Sequence, residues 1–214
     1  MALNYSVIDR WVDAGSRILD LGCGDGALLA HLQQHKNVSA LGVEIDSDNI
    51  TACIARSVNV VEQNIDDGLA NFADNSFDTV LLTQTLQAVH RPDFVLREML
   101  RVGKQCVITF PNFGHWQARL HLVSKGRMPV SKFMPYSWYD TPNIHFCTVK
   151  DFEALCVDEG IRVIDRVFQS AAESNVRCFD YLSERAPNLF AAHAYYYVSR
   201  CLLYTSPSPR DLYR

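Results

Sequence analysis

The stretch Ile18-Leu19-Asp20-Leu21-Gly22-Cys23-Gly24-Asp25-Gly26 constrains the fold more than any other part of the chain. An apolar strand-like run leads into a turn with glycine at every second position, and a helical pattern follows. Glycine adopts turn angles that a Cβ forbids and lets a ligand approach the main chain closely. An ordinary tight strand-to-helix connection explains one glycine, but not three beside an acidic strand end. Asp20, at that strand's carboxyl end, is placed to accept a hydrogen bond from a ligand ammonium, directly or through water. The G-x-G-x-G spacing departs from the G-x-G-x-x-G turn of nicotinamide-dinucleotide sites, the main rival.

Short β-branched runs alternate with helical patterns along most of the chain, which predicts a mostly parallel sheet with helices on both faces. Strands are expected at residues 17–21, 39–44, 59–63, 78–82, 105–110, 161–168 and 194–199, seven in all. Helices are expected around Val7, Ile8 and Trp11, and at 27–35, where Leu28, Leu29 and Leu32 face the sheet. Another spans 47–57, with Ser47 as N-cap and Ile50 and Ile54 on one face. Pro92 suits the first turn of the next. The helix at 148–159 has Thr148 as N-cap, Phe152 and Leu155 on one face, and Gly160 as its stop. Residues 169–190 have no legible pattern. Neither a repeat nor a second domain is visible, so residues 1–200 read as a single domain.

Four strand ends then converge on one crevice, as open α/β sheets require. In Gly42-Val43-Glu44-Ile45-Asp46, Glu44 is placed to accept both hydroxyls of a ribose, while Asp46 precedes or caps the next helix. In Gln63-Asn64-Ile65-Asp66, Asn64 offers a donor and an acceptor to an adenine edge, and Ile65 can pack on the ring. Thr83 and Gln84, in Thr83-Gln84-Thr85-Leu86-Gln87, end the fourth strand beside them.

The alternation breaks at residues 112–144, an irregular insertion rich in aromatics, glycine and proline. With the segments around it, this insertion carries a resemblance. The glycine turn and the acidic second strand end resemble class I S-adenosylmethionine-dependent methyltransferases. Three longer strings resemble the MetW family of methionine-biosynthesis proteins: Phe110-Pro111-Asn112-Phe113-Gly114-His115-Trp116, Ser124-Lys125-Gly126-Arg127-Met128-Pro129-Val130, and Thr141-Pro142-Asn143-Ile144-His145-Phe146-Cys147-Thr148. The match covers about residues 1–168 and thins afterwards.

The resemblance implies a Rossmann-like class I methyltransferase fold that binds S-adenosylmethionine or S-adenosylhomocysteine. Asp20, Gly22, Cys23, Gly24, Gly26, Glu44, Ile45, Asn64, Ile65, Thr83 and Gln84 form the expected cofactor-binding set, with Thr83 and Gln84 at the ligand's methionine end. It also implies action with, or regulation of, homoserine O-acyltransferase. The alternative is methyl transfer to a small-molecule acceptor that the sequence does not name. Transfer from a sulfonium mainly needs positioning of the acceptor, so no catalytic dyad is expected. If a base is needed, the insertion offers His115, Tyr136, Tyr139, Asp140 and His145. His145, between Ile144 and Phe146, reads as a satisfied core histidine ahead of a catalytic one, and His115 beside Trp116 reads similarly. Tyr136, Trp138 and Tyr139 suit either a lid over an acceptor or a protein-binding surface.

Composition excludes more than it assigns. A net charge of −4, without a dense Lys/Arg run, argues against nucleic acid. Seven cysteines lack CxxC spacing, so buried, reduced thiols are expected rather than a metal site or disulfides. No apolar run approaches the ~20 residues of a bilayer span. The start lacks the pattern of a secretory signal, which makes the cytoplasm the expected compartment. The last stretch, residues 201–214, contains Leu203-Tyr204-Thr205-Ser206-Pro207-Ser208-Pro209-Arg210-Asp211, which resembles a translated sequencing-adapter tail and reads as non-native.

Overall fold

The structure is a computed structural model describing residues 3–130, 135–170 and 177–201, with only the backbone of 177–180. The expected non-native tail, apart from Cys201, lies outside the described residues. The elements run α1 (Tyr5–Trp11), β1 (Arg17–Leu21), α2 (Ala27–Lys36), β2 (Ser39–Glu44), α3 (Ser47–Ala55) and β3 (Asn59–Glu62). A 3-10 turn (Ile65–Asp67), β4 (Phe77–Thr83), α4 (Pro92–Val102), β5 (Gly103–Pro111) and α5 (Trp116–Lys125) follow. The chain continues through α6 (Val149–Asp158), β6 (Ile161–Ser170), α7 (Arg177–Arg185), α8 (Pro187–Phe190) and β7 (Ala191–Arg200).

The seven strands form one sheet in the order β3-β2-β1-β4-β5-β7-β6. The sheet is mixed: β7 alone runs antiparallel, against both β5 and β6, and the other pairings are parallel. A mostly parallel seven-stranded sheet with helices on both faces is the expected architecture. Because side chains alternate along a strand, β5 sends Cys106, Ile108 and Phe110 to one face and Val107 to the other. The first face packs α4 and α6 through Val95, Met99, Val149 and Phe152. The second packs α1 and α2 through Ile8, Trp11, Leu28, Leu29 and Leu32. The order reverses between β1 and β4, so the carboxyl ends of β1, β2, β3 and β4 flank the switch point where such sheets hold ligands.

Several local expectations are corrected. Asp46, not Ser47, caps α3: its side chain accepts from Asp48 N and Asn49 N, both at 3.0 Å. An ionised acceptor suits a helix's positive end better than a hydroxyl. Ile54 is exposed, and Cys53 is the residue α3 buries. The insertion expected to be irregular contains helix α5, and the segment without legible pattern contains α7 and α8. β7 begins at Ala191, three residues before its expected start. Thr148 does cap α6, in a reciprocal box with Asp151. Of the cysteines with described side chains, Cys23, Cys53, Cys106 and Cys156 are buried, Cys147 and Cys201 are half-buried, and all six are free.

Candidate functional site

The glycine turn is held from below by β2. Gly22 N and Cys23 N both donate to Val43 O, at 2.8 and 3.1 Å. Gly22, Gly24 and Gly26 have φ of 70°, 55° and 75°, the left-handed region that a Cβ disfavours. Gly26 ends the turn as the N-cap of α2. The Cys23 side chain turns inward, 3.7 Å from Cys53 Sγ, and occupies the space a Cβ on Gly42 would need, at 2.4 Å. Burial raises the Cys23 thiol far above its ordinary range, so it stays protonated and packs as an apolar group.

Glu44 is engaged more fully than its place at a strand end suggests. Oε2 accepts from Gly24 N at 2.8 Å, and Oε1 accepts from Ile45 N at 2.8 Å and Asp46 N at 3.0 Å. The carboxylate therefore braces the glycine turn against the end of β2, and its oxygens keep lone pairs for further donors. Asp20 is the opposite case. It is 1% exposed, and neither carboxylate oxygen has a hydrogen-bond partner among the described residues. Burial, and then the Glu44 charge, push its pKa up to about 7.

A cavity of about 510 Å³ opens above these residues, within the size range of small-molecule sites. Of the expected cofactor residues, Gly22, Glu44, Ile45, Asn64, Ile65 and Gln84 line it. Asp20, Cys23, Gly24, Gly26 and Thr83 are not among its lining residues, although Gly22, next along the chain from β1, is. Asn64 spends its side-chain oxygen on Asp66 N at 3.0 Å, closing the 3-10 turn. Asp66 in turn holds His90, through its N–H and through Nδ1, both at 2.8 Å. Gln84 sits at φ 57°, and its N–H lies 3.0 Å from Thr109 O and 3.1 Å from Thr109 Oγ1.

The remaining lining residues include Thr85, Ala88, Val89, His90, Pro142 and Asn143. His90, Pro142 and Asn143 lie outside the expected cofactor-binding set. They arrive from two loops whose contact with the cavity leaves no periodic trace in the sequence.

None of the five candidate bases lines this cavity. His115 is buried as the N-cap of α5, where Nδ1 accepts from Gln117 N, and burial lowers its pKa. His145 is exposed, not a core histidine, and its Nε2 lies 3.3 Å from His90 O. Tyr136, Tyr139 and Asp140 are exposed. A histidine absent from the sequence reading, His193, lies in β7 opposite Pro111. It is 7% exposed, its Nε2 has no hydrogen-bond partner among the described residues, and burial drives its pKa down to about 4.

The turn geometry gives a first expected result. A Cβ on Gly24 would meet nothing within 4 Å, so Gly24→Ala should fold. The left-handed angle should cost it about 1 kcal/mol of stability. Its isothermal-titration affinity for S-adenosylhomocysteine should fall by about tenfold, because the open space is where a ligand would approach the backbone. An unchanged affinity would place the ligand away from this turn.

The family described as "Methionine biosynthesis protein MetW" matches residues 3–198. The bifunctional methionine biosynthesis protein MetXA/MetW of Rhodopirellula baltica is 37% identical over 166 residues, 73% of this chain and 27% of that protein. The match thus spans about a quarter of that relative's length. A SAM-dependent methyltransferase from Archaeoglobus fulgidus superposes with a TM-score of 0.66 at 18% identity, over 92% of each chain. The [4+2]-cyclase SpnF superposes at 0.63 and 18% identity, over 92% of this chain and 80% of its own. One fold therefore carries a methyltransferase and a cyclase, and the fold alone does not assign a reaction. Among the described residues, no helix is long and apolar enough to cross a membrane, and no cluster of three or more metal-ligating side chains occurs.

Proposed function

Since the chain belongs to the MetW family of methionine biosynthesis proteins, we propose that it binds S-adenosylmethionine or S-adenosylhomocysteine and acts with, or regulates, homoserine O-acyltransferase. The observation that carries the cofactor reading is the buried, unpaired carboxylate of Asp20 beside a ligand-sized cavity. A buried carboxylate without a donor is costly unless a ligand supplies one. The α-ammonium of an adenosyl amino acid would supply the donors and positive charge that this carboxylate has no partner for, directly or through a water.

The other assignments follow the lining. Glu44 retains lone pairs for the ribose hydroxyls, Asn64 and Ile65 offer a polar edge and an apolar face for adenine, and Gln84 and Thr85 stand at the methionine end. Gly22 and Gly24 let the chain come close, while Cys23, Gly26 and Thr83 belong to the frame around them. S-adenosylmethionine, when bound, supplies a methyl group activated by its sulfonium charge.

Support for the partner comes from the Rhodopirellula relative, whose MetXA and MetW portions share one polypeptide. In this reading the MetXA portion acylates homoserine, and the cofactor-binding portion reports the pathway's end-product status. Such linkage needs only that the cofactor bind two states of the assembly unequally.

One observation favours a catalytic alternative. His193, buried beside the end of β5, has a neutral ring whose Nε2 finds no hydrogen-bond partner among the described residues; it would serve as a base only to an acceptor that reached that strand end. The discriminating experiment measures homoserine acylation by the acyltransferase of the same organism, with and without this protein, across a titration of S-adenosylmethionine. The acylation rate is expected to depend on both. No effect, despite tight cofactor binding, would return the case to a methyltransferase with an acceptor still to be found.

A further inference from the structure

The cofactor cavity and the aromatic insertion share a wall. Asn143 lines the cavity, and it also lines a small hollow with Phe113, Tyr136, Trp138 and Phe146. The next two residues are tied down: Ile144 N and His145 N both donate to Gln87 O, at 2.9 and 3.0 Å. His145 Nε2 lies 3.3 Å from His90 O. Gln87 Nε2 donates to Gln84 O at 2.6 Å. Since Gln84 and His90 line the cavity, the strap of residues 141–146 is fastened to the loop that a ligand there would touch.

That loop is under tension. Gln84, not a glycine, holds φ 57°, at a cost of about 1–2 kcal/mol. Gln87 Oε1 is buried with no hydrogen-bond partner among the described residues. Gln87 also holds the strap through its carbonyl, so a rearrangement of this loop that relieved either feature would be felt there.

The strap and the residues just before it carry an apolar face: Tyr136, Trp138 and Phe146 border the same hollow, and Tyr139 packs edge-on against Trp138. Trp138 is 73% exposed and Tyr139 75%, and Tyr136, Ile144 and Phe146 are about half exposed. Large apolar side chains gathered this closely mark an interaction site rather than ordinary surface. Asp140 is the only Asp, Glu, Lys or Arg between positions 135 and 146, which suits neither a nucleic acid nor an anionic membrane. A near-neutral apolar patch on a folded protein is the complementary surface, with tryptophan and tyrosine as anchors.

We propose that this aromatic face docks the homoserine O-acyltransferase, and that the strap couples docking to occupancy of the cofactor cavity. The partner's identity rests on the functional reading above; the face and its coupling rest on the contacts just described. A relative that carries MetXA and MetW portions in one chain holds the two at high effective concentration, the situation in which a modest apolar face suffices for docking.

The test measures the Kd between the full chain and the acyltransferase of the same organism, with and without saturating S-adenosylhomocysteine. The double variant Trp138→Ala/Tyr139→Ala should weaken docking by about tenfold or more, while its circular dichroism melt and its S-adenosylhomocysteine affinity stay unchanged. In the wild type, S-adenosylhomocysteine should change the docking Kd by about fivefold or more. It should also change Trp138 fluorescence without any partner, a signal lost in Trp138→Phe. Equal docking by the double variant would overturn the face while leaving the partner reading intact. A wild type that does not bind the acyltransferase would overturn both. Docking and fluorescence that both ignore the ligand would overturn the coupling. Self-association abolished in the double variant, seen by sedimentation, would assign the face to a second copy of the chain and overturn the proposal.

Discussion

Replacing Glu44 with alanine is expected to weaken S-adenosylhomocysteine binding by about 100-fold or more, and to destabilise the ligand-free protein as well. The carboxylate accepts from Gly24 N, Ile45 N and Asp46 N while only 8% exposed. Charge-assisted bonds of this kind contribute about 1.5–3 kcal/mol each and do not simply add. The Ile45 and Asp46 amides belong to exposed residues and can recover water, whereas the Gly24 amide loses the brace that fixes the turn. A net loss on the order of 3 kcal/mol corresponds to a melting temperature lower by roughly 6–12 °C for a chain of this size. The affinity loss has a separate origin, in the ribose acceptors that disappear. Glu44→Gln separates the two: one acceptor oxygen remains, so part of the stability should return while affinity stays well below wild type. Calorimetry and a thermal melt on the three proteins decide the matter. An alanine variant that binds within about threefold of wild type would leave Glu44 a purely structural brace.

Glu44 also shows where sequence reading stops. Its position is legible because β1, the glycine turn, α2 and β2 are contiguous, and a βαβ unit brings the two strand ends together whatever the rest of the chain does. Its service to three backbone amides depends on the turn's exact path, which no spacing encodes. The same limit explains Ile54 and Cys53. Helical periodicity marks a face but not which face is covered, and α3 buries the side that meets Cys23 and Gly26. Helix α5 escaped because it buries little: Ala118 is its one fully buried residue, while Leu120 and Val123 are exposed. Without a covered face, an apolar stripe has nothing to be periodic about. His90, Pro142 and Asn143 reach the cavity through hydrogen bonds between loops more than fifty residues apart, from Ile144 N and His145 N to Gln87 O. His193 was missed because β7 begins with small residues, Ala191 and Ala192, that carry little strand signal.

The second large effect concerns Asp20 and pH. Its folded pKa of about 7 lies well above the ordinary carboxylate value of 3.8, through burial first and the Glu44 charge second. A raised carboxylate binds its proton more tightly when folded than when unfolded. Its contribution to stability is therefore fully present below about pH 4 and is lost as pH rises towards 7. A difference of about three pKa units corresponds to up to about 4 kcal/mol across that window. Asp20→Asn removes the ionisation, so at pH 8 the ligand-free variant is expected to outlast the wild type in a thermal melt, and at pH 4 to show no such gain. Ligand binding should run the other way. An ammonium paired with Asp20 favours the carboxylate, so wild-type affinity for S-adenosylhomocysteine should rise steeply from pH 5.5 to 7.5, with protons released on binding at the acid end. Above about pH 8 the ligand's own α-amino group begins to lose its proton and the gain should stop. Asp20→Asn should bind more weakly at neutral pH and lack the acidic limb altogether. Glu44→Ala, having lost the neighbouring charge, should shift that limb to lower pH, which ties the two carboxylates to one titration. If wild-type affinity is flat between pH 5.5 and 7.5, the ammonium does not meet Asp20, and the unpaired carboxylate must serve something other than the cofactor.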